Sequence, residues 1–343
     1  MTSCPLPVAE TERVLLGHGS GGQLMAELLA EVITPELGGD GPLEDAAVIT
    51  AAGADLVFST DGFVVTPRFF PGGDIGSLAV HGTVNDLAMR GARPVALSLA
   101  YVLEEGLPVP ELRRITRSAA EAARAVGVPI VTGDTKVVGR GAADGVYVTT
   151  TGVGVRWGDA CPSAAGGAAG DVVLLSGPIG LHGTAILSAR EGLGFEAEVA
   201  SDSRPLHRLV AAMIGAGGRD VHAMRDPTRG GLAGALNELA HASGVAVEVS
   251  EEDVPVPRAV ASACELLGLD PMHVANEGCL VAFVAAPSAP AVLAAMRALP
   301  EGAGATVIGR VTDGTTGRVT ARTLVGSSRI VDVLVGEQLP RIC

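Results

Sequence analysis

Five carboxylates stand beside tight turns or where short apolar runs end: Asp45 in LEDAAVI, Asp61 in STDGF, Asp86 in VNDLAMRG, Asp134 in GDTK and Asp226 in RDPTRGG. Carboxylates scattered in this way are what Mg2+ takes from a protein when a nucleotide supplies its remaining oxygens. Each also has a purely structural reading. Asp226 ahead of Pro227 suits a helix N-cap, Asp61-Gly62 suits a turn, and Asp86 suits a position near a helix start. Of the 24 basic residues, Lys136 is the single lysine. An ammonium is a compact point charge that fits against a phosphate, whereas guanidinium is a planar fork that cannot give up its proton. Lys136 is therefore a candidate for phosphoryl chemistry, with a solvated surface lysine as the competing reading.

Three further stretches carry possible chemistry. GHGSGG matches the G-x-G-x-x-G spacing at Gly17, Gly19 and Gly22, but only VLL precedes it, too little for the buried first strand of a dinucleotide-binding unit. It reads instead as a glycine-rich arm whose backbone amides close over phosphates. A Walker A loop is excluded, because the chain has no Gly-Lys-Ser/Thr. In HVANEGCL, Glu277 stands just before an apolar run and reads either as a general base or as a surface carboxylate. The chain ends in VGEQLPRIC, with Cys343 as its last residue. A thiol at a free end is exposed to oxidation, so its placement there points to use.

The elements that must position these residues follow from composition and pattern. At 343 residues the chain exceeds the roughly 250 to 300 at which single cores stop growing, which favours two domains. With 48% hydrophobic residues, only 3% aromatics and 47 glycines, the interior must be aliphatic, which suits an α/β core. The net charge of −14 argues against nucleic acid as a partner. No apolar run approaches the roughly 18 to 20 residues of a membrane span, and no signal-type N-terminus is present, so a cytoplasmic location without membrane contact is expected. Five cysteines, odd in number and free of CxxC pairs, fit reduced thiols.

Along the chain, QLMAELLAEVI reads as a helix and AAVIT and DLVFSTDGFVV as strands. A helix follows from GGDIGS, then the strand RPVALSLAYVL, the helix PELRRITRSAAEAARAVG, and the strands VPIVTGD and GVYVTTTGVGV. SAAGGAAGD (163–171) reads as a linker. Beyond it, VVLLSGPIG opens a second α/β unit with a helix from Pro227, the strand VAVEVS, the helix VPRAVASACELLG, the strand CLVAFVAA, the helix SAPAVLAAMRAL and three closing strands. The expected division is an arm and helix over 1–42, an N-terminal domain over 43–157, a C-terminal α/β domain over 163–335 and a flexible tail over 336–343.

LEDAAVI, the long stretch from STDGF to MRGARP, VTGDTKVV, DPTRGGLA, ANEG and the terminal PRIC, in that order along nearly the whole chain, resemble the HypE family of hydrogenase maturation proteins. That family belongs to the ATP-binding superfamily of aminoimidazole ribonucleotide synthetase and selenophosphate synthetase. The resemblance implies a two-domain, PurM-like α/β fold of α+β type whose N-terminal domains pair in a homodimer with a β-barrel-like core. It implies ATP and Mg2+ as cofactors. Asp45, Asp86 and Asp226 would hold the metal, and Gly19, Ser20, Gly21, Gly22, Asp61, Asn85, Asp134 and Thr135 the nucleotide and its phosphates. Cys343, Glu277 and Lys136 would be catalytic.

The reaction so implied is ATP-dependent dehydration of a carbamoyl group, loaded onto Cys343 by HypF, to a thiocyanate. Its cyanide would pass to iron on a HypC–HypD complex for [NiFe] hydrogenase. Three rivals are weighed on the residues: ATP-dependent phosphorylation of a small molecule, as in selenophosphate synthetase, purine-type ring synthesis, which would not call for a terminal thiol, and a non-enzymatic maturation scaffold. The first would want a reactive cysteine and a lysine near the glycine-rich loop, and GHGSGGQL has neither. The terminal carboxylate is expected to raise the Cys343 pKa and Arg341 to offset it partly. His81, beside VNDLAMRG, receives no assignment.

Overall fold

The computed structural model describes residues 13–19, 21–37, 43–51, 53–191, 199–334 and 341–343. Ser20, the first twelve residues and residues 335–340 of the tail lie outside the described residues, so the phosphate-binding role of Ser20 and most of the tail expectation fall there. After a 3-10 turn at Leu16–Gly19, helix α1 (Gln23–Leu28) runs through a π segment at Leu29–Ile33 into α2 (Thr34–Leu37). The first half of the chain then gives β1 (Ala47–Ala51), β2 (Ala54–Phe63), the short hairpin β3 (Phe69–Phe70) and β4 (Gly73–Asp74), and α3 (Ile75–Met89). It closes with β5 (Ala92–Glu104), α4 (Val109–Val126), β6 (Ile130–Val138) and β7 (Val146–Arg156).

The second half contains β8 (Val172–Leu175), α5 (Leu181–Glu191), α6 (His207–Gly217), β9 (Val221–Arg225), α7 (Gly231–Ser243), β10 (Ala246–Ser250) and α8 (Arg258–Leu267). It ends with β11 (Val281–Val284), α9 (Ala289–Arg297), β12 (Thr306–Thr312), β13 (Val319–Arg322) and β14 (Ser328–Ile330). Among the described residues no helix is long and apolar enough to cross a membrane.

The first sheet has the order β1-β2-β7-β5-β6, antiparallel except for the parallel β5–β6 pair that α4 connects. α4 is amphipathic: Ile115, Ala119, Ala122 and Ala123 face inward, and Gly127, at φ 78°, ends the helix in the left-handed conformation that glycine tolerates. α3 is buried almost all round, because it lies between the first sheet, α4 and α6. Its start is fixed by a capping box in which Asp74 Oδ1 accepts from the N–H groups of Gly76 and Ser77 at 2.8 and 3.1 Å. The sheet of one chain is open, with β1 and β6 at its edges, so the expected barrel-like core is not closed within a single copy. β6 is exposed along nearly its whole length.

The second sheet has the order β14-β13-β10-β12-β8-β11-β9, and its core is built from Val173, Leu175, Leu236, Val281 and Phe283 among others. Three features of this half escape the sequence pattern. α5, α6 and β9 lie in a stretch where GPIG and GAGG interrupt the apolar periodicity. The helix expected from Pro227 begins only at Gly231, so Asp226 is not its N-cap; Gly230 takes φ 79° as the cap, and a Cβ on Gly231 would lie 2.6 Å from the His273 carbonyl carbon. Residues 163–171 are not a free linker: Ser163 N–H donates to His222 O at 3.0 Å, Ala164 N–H to Glu44 at 2.9 Å and Gly170 N–H to Val311 O at 2.9 Å.

Asn85 shows how the halves are joined. It is 1% exposed on α3, its amide donates to Arg204 O at 3.1 Å, and its carbonyl accepts from Leu206 N–H at 2.8 Å, just before α6. Both polar ends are thus committed to protein backbone and neither faces the cavity described below. Asn85→Ala leaves two buried partners unsatisfied and is expected to cost about 2 to 3 kcal/mol, read by urea denaturation, while the folded fraction keeps its ATP affinity.

Candidate active site

Where the two halves meet, a cavity of about 550 Å3 is lined by Asp45, Asp61, Asp86, Asp226, Glu277 and Cys343. Each comes from the end of an element or from a loop. Asp45 precedes β1, Asp61 sits near the end of β2, Asp86 is on α3, Asp226 follows β9 and Glu277 lies just ahead of β11. Oxygen atoms of Asp45, Asp86 and Asp226 all lie within 4.8 Å of one another. That spacing and the all-carboxylate donor set suit a hard divalent cation.

The cluster is electrostatically costly, and that cost shows in its proton affinities. Burial pushes Asp45 up to about 6, against the opposing pull of Arg225, whose Nε lies 3.3 Å from Asp45 and 2.7 Å from Glu238. Burial, with Asp45 as an added repulsion, pushes Asp226 up to about 8. Asp86 is driven well above the carboxylate range by burial and by Asp226, Asp61 and Asp45, although the Ser59 hydroxyl donates to its Oδ2 at 2.6 Å. Asp61 is raised by burial and lowered by Arg229.

Glu277 is 3% exposed, and its Oε1 is buried without a hydrogen-bond partner among the described residues. Its backbone is held tightly: the Asp202 carboxylate accepts from the N–H groups of Glu277 and Gly278 at 3.1 and 2.9 Å. A Cβ at residue 278 would come within 1.7 Å of Asp202 O, so only glycine fits after Glu277. Asn276 ties the same turn to its surroundings, accepting from Gly180 N–H at 2.6 Å and donating to Pro227 O at 2.9 Å. Burial first, then Asp226, Asp61 and Asp202, raise the Glu277 carboxyl well above its ordinary range, with Arg229 opposing.

The last three residues are docked rather than free. Val64 N–H donates to Cys343 O at 2.9 Å, Thr66 N–H to Arg341 O at 3.2 Å, and Ile342 is only 2% exposed within the first core. Arg341 does not offset the thiol as expected, because its guanidinium is turned away onto Asp144 at 2.7 Å and Val64 O at 2.9 Å. The cation that faces Cys343 is Arg229, which the sequence reading left unassigned. Burial pushes the Cys343 thiol up to about 12; Arg229 pulls it down, and Glu277, Asp61 and Asp226 push it further up. The resting thiol is therefore protonated at neutral pH.

Other expected residues lie elsewhere. Asp134, Thr135 and Lys136 do not line the cavity: they stand on the exposed edge strand β6, inside the strand rather than at its end, with Lys136 Nζ 2.5 Å from Asp134 Oδ2. Gly21 and Gly22 do line it. Gly21 has φ 76°, and a Cβ there would sit 2.7 Å from Arg229 Cβ, so the arm can pass over Arg229 only as glycine. Gly19 accepts from Arg229 through its carbonyl at 3.1 Å. His81 pairs with Ser203 Oγ at 3.0 Å and is not among the residues that line the cavity. The signal for Arg225 and Arg229 was present in RDPTRGG, where an arginine stands on each side of the Asp-Pro pair.

Comparison with known proteins places this geometry in context. Residues 43–156 match the family model for AIR synthase related protein, N-terminal domain, and residues 168–322 that for its C-terminal domain. The chain is 53% identical over 334 residues to the carbamoyl dehydratase HypE of Cupriavidus necator, covering 96% of this chain and 95% of that protein. A HypE–HypF complex superposes with a TM-score of 0.85 at 45% identity, covering 90% of this chain and 99% of that one. HypE in complex with ATP superposes with a TM-score of 0.82 at 46% identity, covering 96% and 100%.

The raised carboxylates set a pH dependence. Asp45 and Asp226 bind protons more tightly folded than unfolded, so their ionisation adds no penalty below the unfolded value of 3.8. The penalty grows as pH rises through about 6 and about 8, and is complete above. Two pKa units correspond to about 3 kcal/mol. Without divalent cations, stability measured by denaturant titration should fall between these limits, and Asp226→Asn should flatten the fall.

Proposed function

This chain belongs to the HypE family of carbamoyl dehydratases, and from that premise we propose that its cavity dehydrates a carbamoyl group carried on Cys343, with ATP as phosphoryl donor. The observation that carries the reading is the docking of the terminal thiol in one cavity with a cluster of three aspartates and the buried Glu277 carboxyl, whose Oε1 has no hydrogen-bond partner among the described residues. The balance is R–S–C(=O)–NH2 + ATP giving R–S–C≡N + ADP + phosphate. The amide C–O bond breaks, the oxygen leaves within phosphate, and the nitrogen gives up both protons as the C≡N bond forms. An amide oxygen is a poor leaving group until it is phosphorylated.

Glu277 is the base in this reading. Its raised proton affinity matches the task of taking protons from an amide nitrogen, once the proton it holds at rest has left. Arg229 stabilises negative charge beside the sulfur and the carboxyl. Asp45, Asp86 and Asp226 would hold Mg2+, which would screen their mutual repulsion and neutralise nucleotide phosphate charge. The glycine-rich arm at Gly19, Gly21 and Gly22 would close over the nucleotide, with Asp61 beside it.

Lys136, Asp134 and Thr135 fit the reaction through a second copy. An exposed edge strand carrying a charged pair is a natural place for another chain to pair, so a homodimer joined across β6 would close the open sheet towards a barrel-like core. In that assembly Lys136 would serve phosphoryl transfer at a site built by both copies. The working division is that of the two family models, one half contributing Asp45, Asp61 and Asp86 and the other Asp226 and Glu277. HypF would load the thiol, a HypC–HypD complex would receive the cyanide, and the cytoplasm would be the setting.

Glu277→Gln keeps size and removes the base. The expected result is unchanged ATP binding with ADP formation on carbamoylated protein slowed by about 10^2 to 10^4-fold, measured in the presence of HypF and carbamoyl phosphate. ADP formation at the wild-type rate in that variant, or ADP formation that survives Cys343→Ala, would sink the proposal.

A further inference from the structure

The docked tail is held by its main chain, and one of its partners is a side chain from the other half of the molecule. His182, at the start of α5, is fully buried, and its Nε2 lies 2.8 Å from Ile342 O. The ring stands edge-on to Phe70, with centroids 5.5 Å apart and an interplanar angle of 88°. Its Nδ1 lies 2.8 Å from Ser201 Oγ, which accepts from Ser203 N–H at 3.0 Å.

These contacts dictate a tautomer. Burial pushes the imidazole down to about 4, so at neutral pH the ring carries one N–H. A carbonyl can only accept, so that N–H must be on Nε2, and the Ser201 hydroxyl must donate to Nδ1. Ser201 is itself anchored, its N–H donating to Pro71 O at 2.8 Å.

The geometry points to His182 as a positioning residue of the dehydration, gripping the Ile342 carbonyl and so setting how deeply Cys343 enters the cavity. This deepens the reading above: it rests on Cys343 being the reacting group, while the docking itself does not depend on that chemistry. The next residue along the supporting loop gives the assignment its force. Asp202 holds the Glu277 backbone, so Ser201-Asp202 fixes the thiol through His182 on one side and the base directly on the other. A displacement of about 1 Å between reacting groups can cost about 10^2-fold in rate, which is what a shared anchor prevents.

The test uses the full chain without nucleotide. Iodoacetamide labelling of Cys343 is timed by peptide mass spectrometry against exposed Cys161 in the same molecule, with buried Cys264 and Cys279 reporting on unfolding. Wild type should protect Cys343 relative to Cys161. His182→Gln keeps a donor at the Nε2 position and should retain that protection. His182→Leu should speed Cys343 labelling by about tenfold, the scale of one lost buried hydrogen bond, with Cys161 unchanged. Unchanged protection in His182→Leu, or equal loss in the Gln and Leu variants, overturns the assignment. If His182→Leu unfolds, exposing Cys264 and Cys279, Ser201→Ala decides: faster Cys343 labelling supports the assignment and wild-type protection overturns it. Protection that follows this pattern while carbamoylated wild type fails to dehydrate would overturn the proposed reaction and leave the role of His182 standing.

Discussion

The rest of the structure is arranged around one unfavourable fact: five carboxylates, Asp45, Asp61, Asp86, Asp226 and Glu277, share a cavity with a thiol. Burial and mutual repulsion raise their proton affinities, opposed chiefly by Arg225 and Arg229. No single element could supply such a set, since neighbouring like charges on a helix or strand repel. The fold solves this by drawing each acid from a different element end and letting two sheets with separate cores meet around them.

The tail exploits the same junction. Thr66 and Val64, just beyond β2, pair with its backbone, Arg190 donates to both Thr66 O and Arg341 O, and Arg341 is spent on Asp144 rather than on the thiol. The thiol is thereby delivered beside Arg229 and Glu277 with its proton on. A protonated, recessed sulfur resists oxidation, which answers the hazard of a cysteine at a chain end. Arg341 adopts φ 49°, a conformation that costs a residue with a Cβ and is held here by the contacts on either side of it.

The sequence made part of this legible and part not. Alternation and amphipathic periodicity were enough for α3, α4, β5 and β7, because each has a long one-sided or wholly buried pattern. Five aspartates stood out by their places beside turns or at the ends of apolar runs, and the resemblance picked Asp45, Asp86 and Asp226 from among them; the structure brings the oxygens of those three together. Asn85 looked equally polar and equally placed, yet its amide is used up by Arg204 and Leu206, contacts more than a hundred residues away that no local pattern encodes. His182 was invisible for the same reason, since its partner is a carbonyl 160 positions distant. Arg229 was in view in RDPTRGG, but its pairing with the chain end was not. Lys136 was singled out by rarity, and the structure places it on the exposed β6 edge, paired with Asp134 and away from the cavity.

The central claim is that the docked thiol and the carboxylate cavity are one reaction site, and the mass of the C-terminal peptide tests it most directly. After HypF-dependent carbamoylation, addition of ATP and Mg2+ should convert the Cys343 carbamoyl adduct to one lighter by a water molecule in wild type, and leave it carbamoylated in Asp226→Asn. A carbamoyl adduct that persists in wild type, or that loses water equally well in Asp226→Asn, would contradict the account.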